Sequence, residues 1–129
     1  RSRFSPMLMP ALLLAAAVQI GDDSPIGFLR AGELETRCQS NTPAAASYCF
    51  AYVTGVYDTV KAYESWLNLK EFCVPLRPPQ GDLRRVFLEY LARNPAYRSG
   101  EASSVVVVAL KQRYPCVTGS TPALPAPKQ

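Results

Sequence analysis

The chain has no histidine. That absence excludes Ser-His-Asp and Cys-His catalytic arrangements, which need an imidazole as base. No C-x-x-C pair occurs either. Structural zinc sites of the usual spacing and thioredoxin-type redox sites are excluded together. No glycine-rich phosphate loop is present. No apolar run reaches the ~20 residues of a simple membrane span: the longest, residues 7–20, is 14 residues and contains Pro10. The excess of basic over acidic residues is small, 14 against 10. Arg1 and Arg3 lie before the apolar run, and without them the excess falls to +2. A balance that mild argues against nucleic acid as a partner, since phosphate binding needs a concentrated basic face. The densest basic stretch, Arg84, Arg85, Arg93 and Arg98, is interleaved with Glu89 and Glu101 and reads as a solvated face.

What is present is a 129-residue chain, enough for one domain, with 48% hydrophobic residues for a core. Residues 1–20 carry two arginines, a short apolar run and Ala15-Ala16-Ala17. That is the layout of a secretory signal peptide. A short retained anchor, touching the membrane through residues 4–20 with its basic end cytoplasmic, is the other reading. Both place the remainder outside the cytoplasm. Residues 21–26 form a linker, 27–116 the folded domain, and 117–129 a Pro-rich flexible tail.

The domain reads as all-α. Phe28, Ala31, Leu34 and Cys38 fall on one face of a first short helix over 28–38. The stretch 44–67 contains no proline and repeats at helical spacing through Cys49, Tyr52/Val53, Val56, Val60, Tyr63 and Leu67. Thr42 suits its N-cap and Pro43 its first position. Gly55, inside it, suggests a close approach by another backbone. Residues 72–75 precede and include a proline and are expected to be extended. The third helix carries Leu83, Val86, Phe87, Tyr90 and Leu91 at i, i+3, i+4, i+7, i+8, with Asp82 as a cap candidate, and Asn94-Pro95 ends it. Residues 102–114 are ambiguous. Four consecutive valines suit a strand, but the flanks and the length favour a buried helix.

Four cysteines in a small exported chain imply disulfides. Short loops favour an up-down bundle. Cys38 then meets the first turns of the second helix, where Cys49 lies. Cys73, just past that helix's end, meets Cys116 after the fourth. The expected architecture is a compact four-helix bundle stapled by Cys38–Cys49 and Cys73–Cys116.

Catalysis finds no footing. Pairing uses every thiol. Glu33 and Glu35 are two apart and diverge on a helix. Asp58 reads as solvated or paired with Lys61. The aromatics Tyr48, Tyr52, Tyr57, Tyr63 and Trp66 read as core plus a wet edge. An exposed subset, Tyr57 and Trp66, suits a protein interface. The loop Arg77, Pro78, Pro79 and Gln80 reads as a rigid protrusion for a partner. No cofactor and no metal is expected.

The segments FLRAGELETRC, YCFAYVTGVYD, FCVP, DLRRVFLEYLARNP and ASSVVVVALKQRYPC together resemble the Rap/Tai family. The likeness runs from Phe28 to Cys116. It implies a small periplasmic helical bundle with intramolecular disulfides. The function it implies is immunity against a peptidoglycan amidase toxin delivered by type VI secretion. The mode implied is occlusion of the toxin's cleft, in some members as a homodimer. The expectation is therefore a non-enzymatic, periplasmic, protein-binding protein. The alternative is an accessory subunit of an inner-membrane complex, held by its N-terminal apolar segment.

Overall fold

The computed structural model describes Ser2 and residues 27–117. Apart from Ser2 and Val117, the expected signal or anchor, linker and Pro-rich tail lie outside the described residues. Four α-helices follow in order: α1 Ala31–Gln39, α2 Pro43–Leu67, α3 Gln80–Arg93 and α4 Ala102–Arg113, with a 3-10 turn at Pro95–Ser99 before α4. The described residues form no strand, only an isolated antiparallel bridge between Arg30 and Glu101. The fold is the expected all-α bundle, and both expected disulfides are present.

The first helix starts later than its periodicity implies. Residues before Ala31 stay extended because their backbone is engaged elsewhere. The Ala31 amide donates to Gly100 at 2.8 Å, and the Leu29 carbonyl accepts from Ala102 at 2.9 Å. This switch of backbone state overturns the placement of Phe28. In extended chain its neighbour Leu29 turns inward and is 6% exposed, while Phe28 stands fully in solvent. From Ala31 onward the helical spacing holds, and Ala31, Leu34 and Cys38 are completely buried.

Helix α2 begins as its sequence dictates. Thr42 Oγ1 accepts from the Ala45 amide at 3.4 Å, and Pro43 fills a first-turn position that needs no donor. It ends at Asn68, whose φ of 50° is left-handed, a conformation Asn tolerates better than most residues. Its stripe is covered only along the first half. Cys49 and Val53 are buried, Tyr52, Val56 and Val60 pack partly against the core, and Tyr63 and Leu67 are 52% and 62% exposed. No atom lies within 4 Å of a Cβ built at Gly55, so the close approach expected there does not occur.

Helix α3 buries all five residues of its predicted face. Asp82 does not cap it. Pro79 holds the cap position, and Asp82 lies in the first turn, where it takes Arg85 at 3.3 Å. The tetravaline segment is helical. Val105 and Val106 point into the core, Val107 is half-buried and Val108 is 45% exposed. Burial on adjacent sides outweighs the modest β preference of valine. The hydrophobic core gathers residues from all four helices, and the loop residue Phe72 is fully buried in it.

Candidate partner-binding surfaces

Residues 69–74, which follow α2, are fixed to the bundle by an ionic clamp. The Glu64 carboxylate accepts from the amides of Glu71 at 2.7 Å and Phe72 at 3.2 Å. Lys61 Nζ donates to Glu64 at 2.8 Å and to the Phe72 carbonyl at 2.7 Å, and lies 4.3 Å from the Phe72 ring centroid. Burial pushes the Glu64 carboxyl up, but the Lys61 hydrogen bond and the two amides outweigh it and hold the group below its ordinary value. Lys61 thus pairs with Glu64, and of the two states expected for Asp58, solvated or paired with Lys61, it takes the solvated one and is exposed. Further on, the Cys73 amide donates to the Tyr114 carbonyl at 2.8 Å, Cys73 is bonded to Cys116, and Lys111 reaches Glu71 at 2.7 Å.

The segment 75–80 projects from this fixed base. Arg77, Pro79 and Gln80 are exposed, Pro78 is half-buried, and Leu76 is 81% exposed. Tyr57 lies beside it but is half-buried against Phe72, with ring centroids 5.6 Å apart. Burial first, then the charges of Asp58 and Glu64, push its hydroxyl up, while the Arg77 charge opposes them. The Arg77 charge is therefore felt at Tyr57, while the cation over the Tyr57 ring is Lys61, 5.8 Å from its centroid. Trp66 does not join them. Nine residues along a helix is half a revolution, so Trp66 stands on the other side of α2, 73% exposed and edge-on to Tyr63 at 5.4 Å.

That other side carries a surface that helical spacing alone assigns to the core. Between α2 and α4 runs an open groove of about 550 Å³, floored by Tyr52, Gly55, Val56 and Val60 and walled by Ser103 and Val107. It continues past Tyr63 to Leu67, Leu69 and Glu71 in a second hollow of about 360 Å³. The exposure of Tyr63 and Leu67 is what opens it. A third, more polar hollow of about 640 Å³ lies beside Lys61 and Glu64, whose charges are already engaged in the clamp.

The acidic residues have structural employment. Glu35 is 7% exposed and takes Arg98 through two hydrogen bonds of 2.6 and 2.9 Å. Glu33 accepts from the Arg30 amide at 2.8 Å. Glu101 accepts from the Ser103 and Ser104 amides at 3.0 and 2.8 Å and from both hydroxyls. Burial pushes its carboxyl up, but the four donors from Ser104 and Ser103 prevail and hold it at about 2. The basic stretch is not wholly solvated either. Arg85 makes exposed pairs with Asp82 and Glu89, but Arg84 donates to the Cys38 carbonyl at 2.6 Å and Arg98 is committed to Glu35. Among the described residues no acidic, cysteine or histidine group is clustered to hold a metal, and no cysteine is free.

The family model of the Rap1a immunity proteins matches residues 30–116. The chain belongs to this family. No curated protein and no solved structure matches it. Rap1a membership makes this an immunity-type protein, one that binds another protein, a toxin, and whose family is generally not catalytic. Two disulfides within a Rap1a domain point to an exported chain. No helix among the described residues is long and apolar enough to cross a membrane.

Proposed function

We propose that this Rap1a-family protein acts in the periplasm as the immunity partner of a peptidoglycan amidase toxin delivered by type VI secretion. It inhibits by occlusion, and the segment 76–80 is the element that enters the toxin. One observation carries the choice of element. Leu76 is 81% exposed and Arg77 exposed on a segment whose base is tied by the Cys73–Cys116 bond and by the Lys61–Glu64 clamp. An apolar tip beside an arginine on a pre-ordered support loses little conformational entropy on binding. Arginine is also among the residues that dominate interface energetics.

The test is inhibition of a purified amidase encoded beside the protein. Replacing Leu76 with Asp and Arg77 with Ala should weaken inhibition by about 30-fold or more, the effect of losing a binding hot spot. Both residues lie outside the core, so the melting temperature should hold. Unchanged inhibition by a folded double variant rules out this segment. Absence of binding by the unaltered protein to any amidase rules out the toxin class.

A further inference from the structure

Helix α2 has 25 residues, against 14 for α3 and 12 for α4. At 1.5 Å per residue it is longer than its neighbours by about 16 and 20 Å. Its last turn is left uncovered: every residue from Ser65 to Lys70 is exposed. The uncovered end is apolar, with Tyr63, Trp66, Leu67 and Leu69 all on the surface. It is also built rather than frayed. Asn68 closes the helix in the left-handed conformation, and the Leu69 amide donates to the Glu64 carbonyl at 3.1 Å. The Glu64 carboxylate then takes the Glu71 and Phe72 amides, so Leu69 and Lys70 are held on both flanks.

Charge selects the occupant. Residues 65–70 contain Lys70 and no acid. The acids on either side are both neutralised, Glu64 by Lys61 at 2.8 Å and Glu71 by Lys111 at 2.7 Å. Asp58, the nearest exposed acid, lies nine residues before Leu67 and so on the opposite side of α2. Residues 27–117 hold eleven basic and eight acidic side chains. Five basic and two acidic ones fall in 61–77 and 111–113, stretches joined by the Lys111–Glu71 pair and the Cys73–Cys116 bond. The remaining six of each sign balance, so the domain's excess of positive charge is gathered around this tip. We infer that the tip formed by Trp66, Leu67, Leu69 and Lys70 docks the protein on the surface of a membrane that contains anionic phospholipid. Tryptophan and tyrosine rings suit the headgroup level, leucines enter the acyl boundary, and cations meet the lipid phosphates. A projecting tip enters a fluid layer without needing a matching cavity. The contact is peripheral, since no helix among the described residues is long and apolar enough to cross a membrane. It does not depend on the toxin contact proposed for 76–80.

The full-length protein carries its own reporter, because Trp66 is its only tryptophan and lies within the tip. Vesicles of mixed phosphatidylglycerol and phosphatidylcholine should shift Trp66 emission to shorter wavelength, and added salt should reverse the shift. Vesicles of phosphatidylcholine alone should bind less. Lys70→Glu should weaken partitioning by about fivefold or more, the effect of one cation at an anionic surface. Leu67→Asp should weaken it by about tenfold or more, the lower end for burying a leucine. Both positions are exposed, so the melting temperature should hold. Vesicle binding that leaves Trp66 emission unmoved, or no binding at all, overturns the inference, as does equal binding by both folded variants and the unaltered protein. A shift that appears without vesicles as protein concentration rises assigns the tip to a second copy and also overturns it. Toxin inhibition should survive Leu67→Asp; its loss would make the tip a toxin contact instead and overturn the membrane assignment.

Discussion

Replacing Glu101 with Ala removes the acceptor that starts α4. Its carboxylate takes two backbone amides and two serine hydroxyls at 2.7 to 3.0 Å. A carboxylate held at about 2 against an ordinary 4.5 corresponds to about 3 kcal/mol at ~1.36 kcal/mol per unit. Glu101 keeps partial contact with water, so screening reduces this to about 2 kcal/mol, the upper end of the range measured for lost helix caps. For a domain of this size the melting temperature should fall by roughly 10 °C. The pH dependence is more diagnostic than the size. Because the folded state holds this carboxyl below its unfolded value, the stabilisation is complete above about pH 4.5 and is lost as pH falls toward 2. The gap in melting temperature between the original protein and Glu101→Ala should close over that window. Thermal melts followed by circular dichroism at pH 7, 4 and 2.5 measure it. A gap that stays constant from pH 7 to 2.5 refutes the charged-cap reasoning, and a loss under ~2 °C at pH 7 refutes the magnitude.

Reducing both disulfides should destabilise the fold strongly. Bonds with sequence separations of 11 and 43 contribute about 3 and about 4 kcal/mol in the chain-entropy picture; a melt unmoved by reductant contradicts this. Arg98→Ala strands the buried Glu35 carboxylate. With Arg98 itself 43% exposed, water softens the loss of melting temperature below that of a fully buried pair. Pairing the variant with Glu35→Gln should recover part of it, and additive losses in the double variant argue against the pair. Gly55→Ala should stabilise by up to ~1 kcal/mol, since its Cβ meets open space; urea unfolding with a lower midpoint shows that the position is constrained.

Features set by neighbours along the chain are legible in the amino-acid sequence. Thr42-Pro43 announces a helix start by local chemistry alone, and the α3 stripe announces its buried face. Cysteines at helix ends announce their partners once loops are short. Features set by distant residues are not legible in this way. Phe28 and Leu29 exchange roles because Gly100 and Ala102, some 70 residues away, hold that stretch extended. Glu35 finds Arg98 across 63 residues, and no spacing rule connects them. The α2–α4 groove escapes because periodicity reports which face of a helix is apolar, not how much of it is covered. Tyr63 and Leu67 obey the same spacing as Cys49 and Val53, yet only the latter pair is buried.

The two disulfides occupy consecutive stretches of chain, 38–49 and then 73–116, and neither encloses part of the other. A chain delivered to an oxidising compartment amino end first presents Cys49 to Cys38 before Cys73 has emerged. The earliest pair of thiols available is thus the native one. Its closure leaves the last two cysteines only each other. Maturation of this domain therefore needs an oxidant but no reshuffling of mispaired bonds, and a cell able to oxidise thiols but poor in disulfide isomerase should still produce it correctly paired.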